Sequence, residues 1–208
     1  MALMDFYRRV IQALDEINAP YMIVGAYAGS IFGIARSTAD VDILVDLRDE
    51  DFVALSQRFP LPRYYADPEM MRDSVRMGIM FNLIDTNLGV KADLVPLKRE
   101  PEYRPAFDRR ARRPFLDENG EVLFNAWVAQ PSDIIVGKLM AWNEGRSSKH
   151  PSDIFDMLRF ELDGFGEIPI DYNLISLAAA RISPEALDMW NDVVARAQSE
   201  AKSHRASP

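Results

Sequence analysis

Residues 21–35 carry no charge, Gly25, Gly29 and Gly33 recur among them at four-residue spacing, and shortly afterwards Asp40 and Asp42 flank and interrupt an apolar run. No other stretch constrains the fold as much. Glycines four apart mark the dimer face of a membrane helix, but a span needs roughly 18–20 apolar residues, and Pro20 and Arg36 close this segment off sooner. The pattern fits a strand and turn better. Residues 21–24 form a short β-prone run stopped by Gly25, the small residues up to Gly33 make a tight turn into a closely packed helix, and residues 41–45 form a second strand. Side chains alternate along a strand, so Asp40 and Asp42 project to one side.

Around this stretch the chain reads as α/β. Leu3, Phe6, Tyr7, Val10, Leu14 and Ile17 recur at helical spacing, giving an amphipathic first helix that Pro20 ends. Residues 51–59 read as helix, 60–68 as loop, and 79–84 with 90–95 as the arms of a hairpin around Asp85-Thr86-Asn87-Leu88-Gly89, the second arm carrying Asp93. From 97 to 114 the periodicity disappears and seven basic residues face three acidic ones. A hairpin around Asn119-Gly120 follows. Further helices open at Pro131-Ser132-Asp133, with Ser132 as cap, at about residue 152, and at Ser183-Pro184-Glu185, with Ser183 as cap. The polar end, 199–208, is expected to fray. The expected division is a catalytic core over 1–97, a basic linker and hairpin over 98–130, and a mainly helical C-terminal domain over 131–208.

Composition excludes several chemistries. Having no cysteine rules out thiol nucleophiles, disulfide scaffolds and cysteine-ligated metals, and two histidines, His150 and His204, leave little for zinc. The N-terminus mixes acid and base with no apolar run before a cleavage site, so the expected location is cytoplasmic, with no membrane partner. At 48% hydrophobic and 27% charged, the chain is too apolar to be disordered. Its net charge of −8 repels nucleic acid unless the basic residues are segregated, as they are between Lys98 and Arg113. Trp127, Trp142 and Trp190 read as core. His150, in a Ser/Lys/Pro loop, reads as exposed and without a role.

Asp40 and Asp42, joined by Asp93 from a neighbouring strand, make three like charges that demand a cation. Hard oxygen donors without thiolates fit Mg²⁺ or Mn²⁺, which bind through a few carboxylates together with water and phosphate. The glycine turn supplies the complementary half, because backbone N–H groups approach a triphosphate closely only where side chains are small. Gly25-Ala26, directly after the first strand, is the preferred phosphate turn, and Gly29-Ser30, where Ser30 offers a hydroxyl, is the alternative.

These residues resemble the nucleotidyltransferase superfamily with the polymerase-beta catalytic fold, and within it most closely the AbiEii and MenT-type toxin nucleotidyltransferases and their relatives. Gly25, Ala28, Gly33, Arg36, Thr38, Asp40 and Asp42 match the hallmark Gly-Gly-x-Ala, Gly, Arg-x-Thr-x-Asp-x-Asp. Val90-Lys91-Ala92-Asp93-Leu94 resembles the third-carboxylate strand, and Lys138-Leu139 and Asp153-Ile154-Phe155-Asp156 resemble later helical motifs, so that the likeness spans about residues 5–160. The chain departs from the pattern at Ala26, where a second glycine is usual, and at Lys149-His150-Pro151-Ser152-Asp153, where the Lys-Asp pair is spread out.

The resemblance implies a small mixed sheet flanked by helices, followed by a helical domain. It implies a metal-dependent transfer of a nucleoside monophosphate from a nucleoside triphosphate to an acceptor hydroxyl. Asp40, Asp42 and Asp93 would be the metal-binding and catalytic set, with Gly25, Ala26, Arg36, Thr38 and Lys138 on the nucleotide and Asp153 and Asp156 as further candidates. An RNA end or a protein side chain would be the acceptor, and an antitoxin protein the partner. Arg109, Arg110, Arg112 and Arg113 are the candidate acceptor contacts. The alternatives are transfer to a small aminoglycoside-type compound and a non-catalytic relative that binds nucleotide or a partner for regulation.

Overall fold

The computed structural model describes residues 2–38, 40–117 and 119–206; of residues 2 and 204–206, His204 among them, only the backbone is described. The chain divides into two compact units, Met1–Tyr27 with Thr38–Ala129, and Ala28–Ser37 with Gln130–Pro208.

The first unit is built on a seven-stranded mixed sheet of β1 (Tyr21–Val24), β2 (Val41–Val45), β3 (Tyr64–Tyr65), β4 (Phe81–Asp85), β5 (Val90–Pro96), β6 (Ala111–Leu116) and β7 (Val122–Val128), in the order β3-β4-β5-β2-β1-β7-β6. Helix α1 (Ala2–Glu16) precedes β1, and the five-residue α2 (Gly25–Gly29) follows it. Helices α3 (Asp49–Arg58), α4 (Pro68–Met77) and α5 (Arg104–Asp108) fill the connections between strands. β2 lies centrally, antiparallel to β1 and parallel to β5, and its Val41, Ile43, Leu44 and Val45 are all buried. A strand covered on both faces reads as a continuous apolar run, which is why Asp42 stands out in it. The β4–β5 hairpin closes as its sequence predicts: the Asp85 carboxylate accepts the N–H groups of Asn87 and Leu88 at 3.0 and 3.2 Å. Phe6, Tyr7, Val10, Ile11 and Leu14 put the apolar face of α1 into the core.

The second unit is helical, with α6 (Pro131–Gly145), α7 (Lys149–Leu162), α8 (Tyr172–Ile182) and α9 (Pro184–Ala206). Trp190 is buried at its centre, and its indole N–H donates to Ser176 Oγ at 2.9 Å. The short segment 28–37 belongs to this unit. Gly33 takes φ +98° with its Cα against the Phe160 ring, leaving no room for a Cβ. Among the described residues no helix is long and apolar enough to cross a membrane.

Several local expectations change. The loop expected over 60–68 contains the edge strand β3, and α4 opens on Asp67, whose carboxylate accepts from Glu69 N and Met70 N at 2.8 and 3.0 Å. The hairpin around Asn119-Gly120 forms, and both its arms are strands of the main sheet. Ser132 is not a cap: Gln130 holds that position, and Ser132 Oγ instead accepts Asp171 N–H at 2.8 Å. Ser183 caps as expected, accepting Ala186 N–H at 3.0 Å. The polar end stays helical through Ala206, with residues 207 and 208 outside the description. Of the three tryptophans only Trp190 is fully in the core; Trp127 and Trp142 are half-buried beneath arginine guanidinium groups.

Candidate active site

The carboxylates come together through strand register. β2 and β5 run parallel with Asp42 opposite Asp93, while β1 brings Val24, and so the turn after it, opposite Asp42 from the other side. Gly25 opens that turn at φ +70°, a conformation costly for any residue with a Cβ. A second reason for glycine is space, because a Cβ there would collide with the Asp42 carboxylate. The turn backbone and the carboxylate are thus in direct contact. Ala26 follows without a positive φ and is nearly buried. Gly29 is small for a different reason, since a Cβ on it would strike the Ile34 side chain, and its smallness serves packing. Ser30 beyond it is exposed.

Asp93 is 7% exposed and held from two sides. Lys91 Nζ donates to its Oδ1 and Oδ2 at 2.9 and 2.8 Å, and the Asn82 amide, opposite Asp93 on β4, donates to Oδ1 as well. The same ammonium lies 3.7 Å from Asp40 Oδ1. Asp40 sits just ahead of β2, half exposed, with its backbone fixed by Thr38, whose hydroxyl donates to Asp40 O at 3.1 Å. Two groups feel the charge of all three carboxylates. Tyr7, fully buried on α1, has its phenol pushed well above the ordinary value, by burial first and then by the charges of Asp40, Asp93 and Asp42. The Lys91 ammonium is raised by its hydrogen bond to Asp93 and, against the opposing effect of burial, by the charges of Asp93, Asp40 and Asp42.

This donor set fits a hard divalent ion in its chemistry: carboxylates only, with Asp42 in register beside Asp93 and an ammonium that bonds Asp93 and lies 3.7 Å from Asp40. It is not a finished cage. Among the described residues no three His, Cys, Asp or Glu side chains are assembled to hold a metal by themselves. That suits Mg²⁺ or Mn²⁺, whose remaining ligands come from water and substrate phosphate.

The second unit holds its own polar cluster. Asp153, fully buried on α7, accepts Arg36 Nε and Nη2 at 2.6 and 2.9 Å and Lys138 Nζ at 2.6 Å. Burial alone would raise the Asp153 carboxyl, but the hydrogen bonds from Arg36 and Lys138 outweigh it and hold the group below the usual carboxylate range. Asp156, one turn on, is raised by burial despite a hydrogen bond from the Ala35 backbone. His150 is not the exposed loop residue the sequence implied. It lies in the first turn of α7, half-buried, with Nδ1 enclosed and without a partner, and burial followed by the repulsion of Lys149 and Lys138 pushes it down to about 4.

The basic stretch lies elsewhere. β5 leaves the carboxylates as it runs, so that Pro96 pairs with Val45 at the far end of β2, and the stretch begins there. Arg104 contacts Asp46 and Asp108, and Arg112 donates to Asp15 at 2.6 Å. Arg110 stacks on Phe107 and Trp127. β6, which carries Arg112 and Arg113, is three strands from β2, roughly 14 Å at the usual strand spacing. The structure does not bring Arg109, Arg110, Arg112 or Arg113 together with the three aspartates. Sequence reasoning passed over Tyr7, Asn82 and Lys91. Lys91 was readable, since two residues before Asp93 on one strand means the same face.

The architecture, a seven-stranded mixed sheet followed by a helical part, is a nucleotidyltransferase fold. Among solved structures, the chain is similar to an antigenic nucleotidyltransferase-like protein from Paracoccidioides brasiliensis, with 17% identity, 88% of each chain covered and a TM-score of 0.50. Weaker likenesses are the antibiotic-resistance factor ANT(2'')-Ia, with 14% identity, 96% of this chain and 94% of that one covered and a TM-score of 0.41, and JHP933 from Helicobacter pylori, with 13%, 99% and 96%, and 0.40. No protein-family model matches the sequence, and no curated protein matches it either.

Proposed function

We propose that this chain is a metal-dependent nucleotidyltransferase that moves a nucleoside monophosphate from a nucleoside triphosphate to an acceptor hydroxyl, the hydroxyl oxygen bonding the α-phosphorus as the α–β phosphoanhydride bond breaks and pyrophosphate leaves. The observation that carries the reading is the contact between turn and carboxylate: Gly25 lies against Asp42, and Asp42 is in register with Asp93 on a parallel neighbour. Asp40, Asp42 and Asp93 would hold Mg²⁺ or Mn²⁺, which when bound neutralises phosphate charge and makes an acceptor hydroxyl more acidic. The Gly25-Ala26 backbone receives the phosphates where no side chain intervenes. Asp93 is the carboxylate assigned to accept the acceptor's proton, and Asn82 fixes its orientation. Arg36 and Lys138 are bonded to Asp153 within the second unit. The acceptor, on the strength of the toxin-like sequence motif, is an RNA end or a protein side chain, and an antitoxin would be the partner.

Calorimetry with each of the four nucleoside triphosphates, with Mg²⁺ and again with EDTA, tests the reading. Binding is expected only with the metal, since clustered carboxylates otherwise repel the phosphates. Equal affinity in EDTA would remove the metal from the mechanism. Mass spectrometry of RNA, protein and small-molecule pools after incubation identifies the acceptor.

A further inference from the structure

Lys91 holds a position that the proposed chemistry does not use. Its side chain rises from β5 on the same face as Asp93, and its ammonium bonds both oxygens of that carboxylate while remaining 3.7 Å from Asp40. With the Asn82 amide also on Oδ1, that oxygen accepts two donors, the number its lone pairs allow, and Oδ2 keeps one acceptor site. A cation approaching Asp93 therefore meets a carboxylate already largely engaged, beside a positive charge that repels it. Yet the lysine is not locked in: its side chain is 42% exposed and its flexible four-carbon stem can carry the ammonium out to solvent.

We propose that Lys91 is the resident counter-ion of the carboxylate cluster, holding Asp93 and Asp40 together in the metal-free protein and leaving when a divalent ion loads, so that it sets the metal concentration at which the site fills. The inference rests on the metal-binding reading of that cluster and concerns its regulation. It gives the lysine two opposed effects. Without metal it relieves the repulsion among Asp40, Asp42 and Asp93 and stabilises the fold. With metal it competes.

The test is calorimetric titration of Mn²⁺ into the full chain, as wild type, Lys91→Met, Lys91→Arg and Asp42→Asn, alongside thermal melts in EDTA and in Mn²⁺. Lys91→Met keeps an apolar stem and loses the charge. It is expected to bind Mn²⁺ about tenfold more tightly, the size of effect a neighbouring like charge produces, to melt lower than wild type in EDTA, and to regain stability with Mn²⁺. Lys91→Arg keeps the charge and is expected to bind like wild type. Mn²⁺ binding that is present in wild type, lost in Asp42→Asn and unchanged or weakened in Lys91→Met would overturn the counter-ion role while leaving the metal site standing. A wild-type chain that takes up no Mn²⁺ would overturn the metal site itself.

Discussion

The two polar clusters solve opposite electrostatic problems with the same residue types. In the sheet unit one lysine bonds Asp93 and lies 3.7 Å from Asp40, with Asp42 in register beside Asp93; in the helical unit one aspartate is bonded by a lysine and an arginine. The first lies at strand ends, with Asp40 and Lys91 both about half exposed, and its ammonium bonds Asp93 while only approaching Asp40. The second is deep: Asp153 and Lys138 are 0% and 5% exposed, so its ammonium, unlike that of Lys91, is shut away from solvent with its carboxylate. Buried pairs with complete hydrogen bonding are rigid and costly to break, whereas exposed and crowded carboxylates have weak structural value and strong affinity for cations. The contrast separates a cluster suited to exchanging a cation from one suited to holding its geometry.

The largest expected effect tests the exchanging cluster. Asp42→Asn keeps the shape of the side chain and its place beside Gly25 but removes charge from the proposed metal set. Transfer is expected to fall by about 10³-fold or more, the scale seen when a group that stabilises transition-state charge is lost. The melting temperature should hold or rise, because mutual repulsion among the aspartates is relieved. A variant that unfolds instead would show Asp42 to be structural.

The reverse pattern is expected of the second cluster. Asp153→Asn leaves the Lys138 ammonium buried without its carboxylate, a change that costs about 3–5 kcal/mol, read by denaturant unfolding. Lys138→Ala leaves Asp153 with the bidentate Arg36 and should cost less stability. If Lys138 serves the nucleotide, its loss lowers kcat/KM by about 10 to 100-fold, or roughly 1.4–2.8 kcal/mol. Unchanged kinetics in a destabilised Lys138→Ala would confine that lysine to the fold.

The two clusters were unequally legible in the sequence. Asp40 and Asp42 announce themselves because carboxylates bordering and breaking an apolar strand are unusual, and the register that adds Asp93 follows from two parallel strands. Gly25, too, was readable as a turn glycine, whereas Gly29 and Gly33 are small in order to make room for Ile34 and Phe160, which spacing does not reveal. The Arg36–Asp153 pair joins residues 117 apart in sequence, a tertiary contact that no local pattern encodes. The basic stretch is a run in sequence only in part: Asp15 and Asp46, from distant segments, pair with Arg112 and Arg104, contacts that sequence adjacency does not reveal. Helix α8 escaped because its sequence is apolar on most sides, and α4 because an Asp-Pro start after a proline-rich run reads as loop.

The smallest expected effect separates the clusters by pH. Because the His150 value is depressed to about 4 in the folded chain against an ordinary 6.5, the unfolded chain takes up a proton first as pH falls. Its penalty is therefore absent above about pH 6.5, grows as pH drops from there, and is complete near pH 4. Asp153 behaves oppositely in origin: its depressed carboxyl contributes stability above the unfolded carboxylate range, lost only as pH falls below about 4. Each pH unit in the histidine window is worth at most about 1.4 kcal/mol, and partial exposure of the ring reduces the whole to about 1 kcal/mol. Unfolding free energies measured from pH 7.5 to 4.5 should thus decline gently in wild type and stay flatter in His150→Gln, which cannot take up a proton. If both chains decline alike, the acid sensitivity comes from other groups, and the enclosed imidazole of α7 is already able to reach water when it takes up its proton.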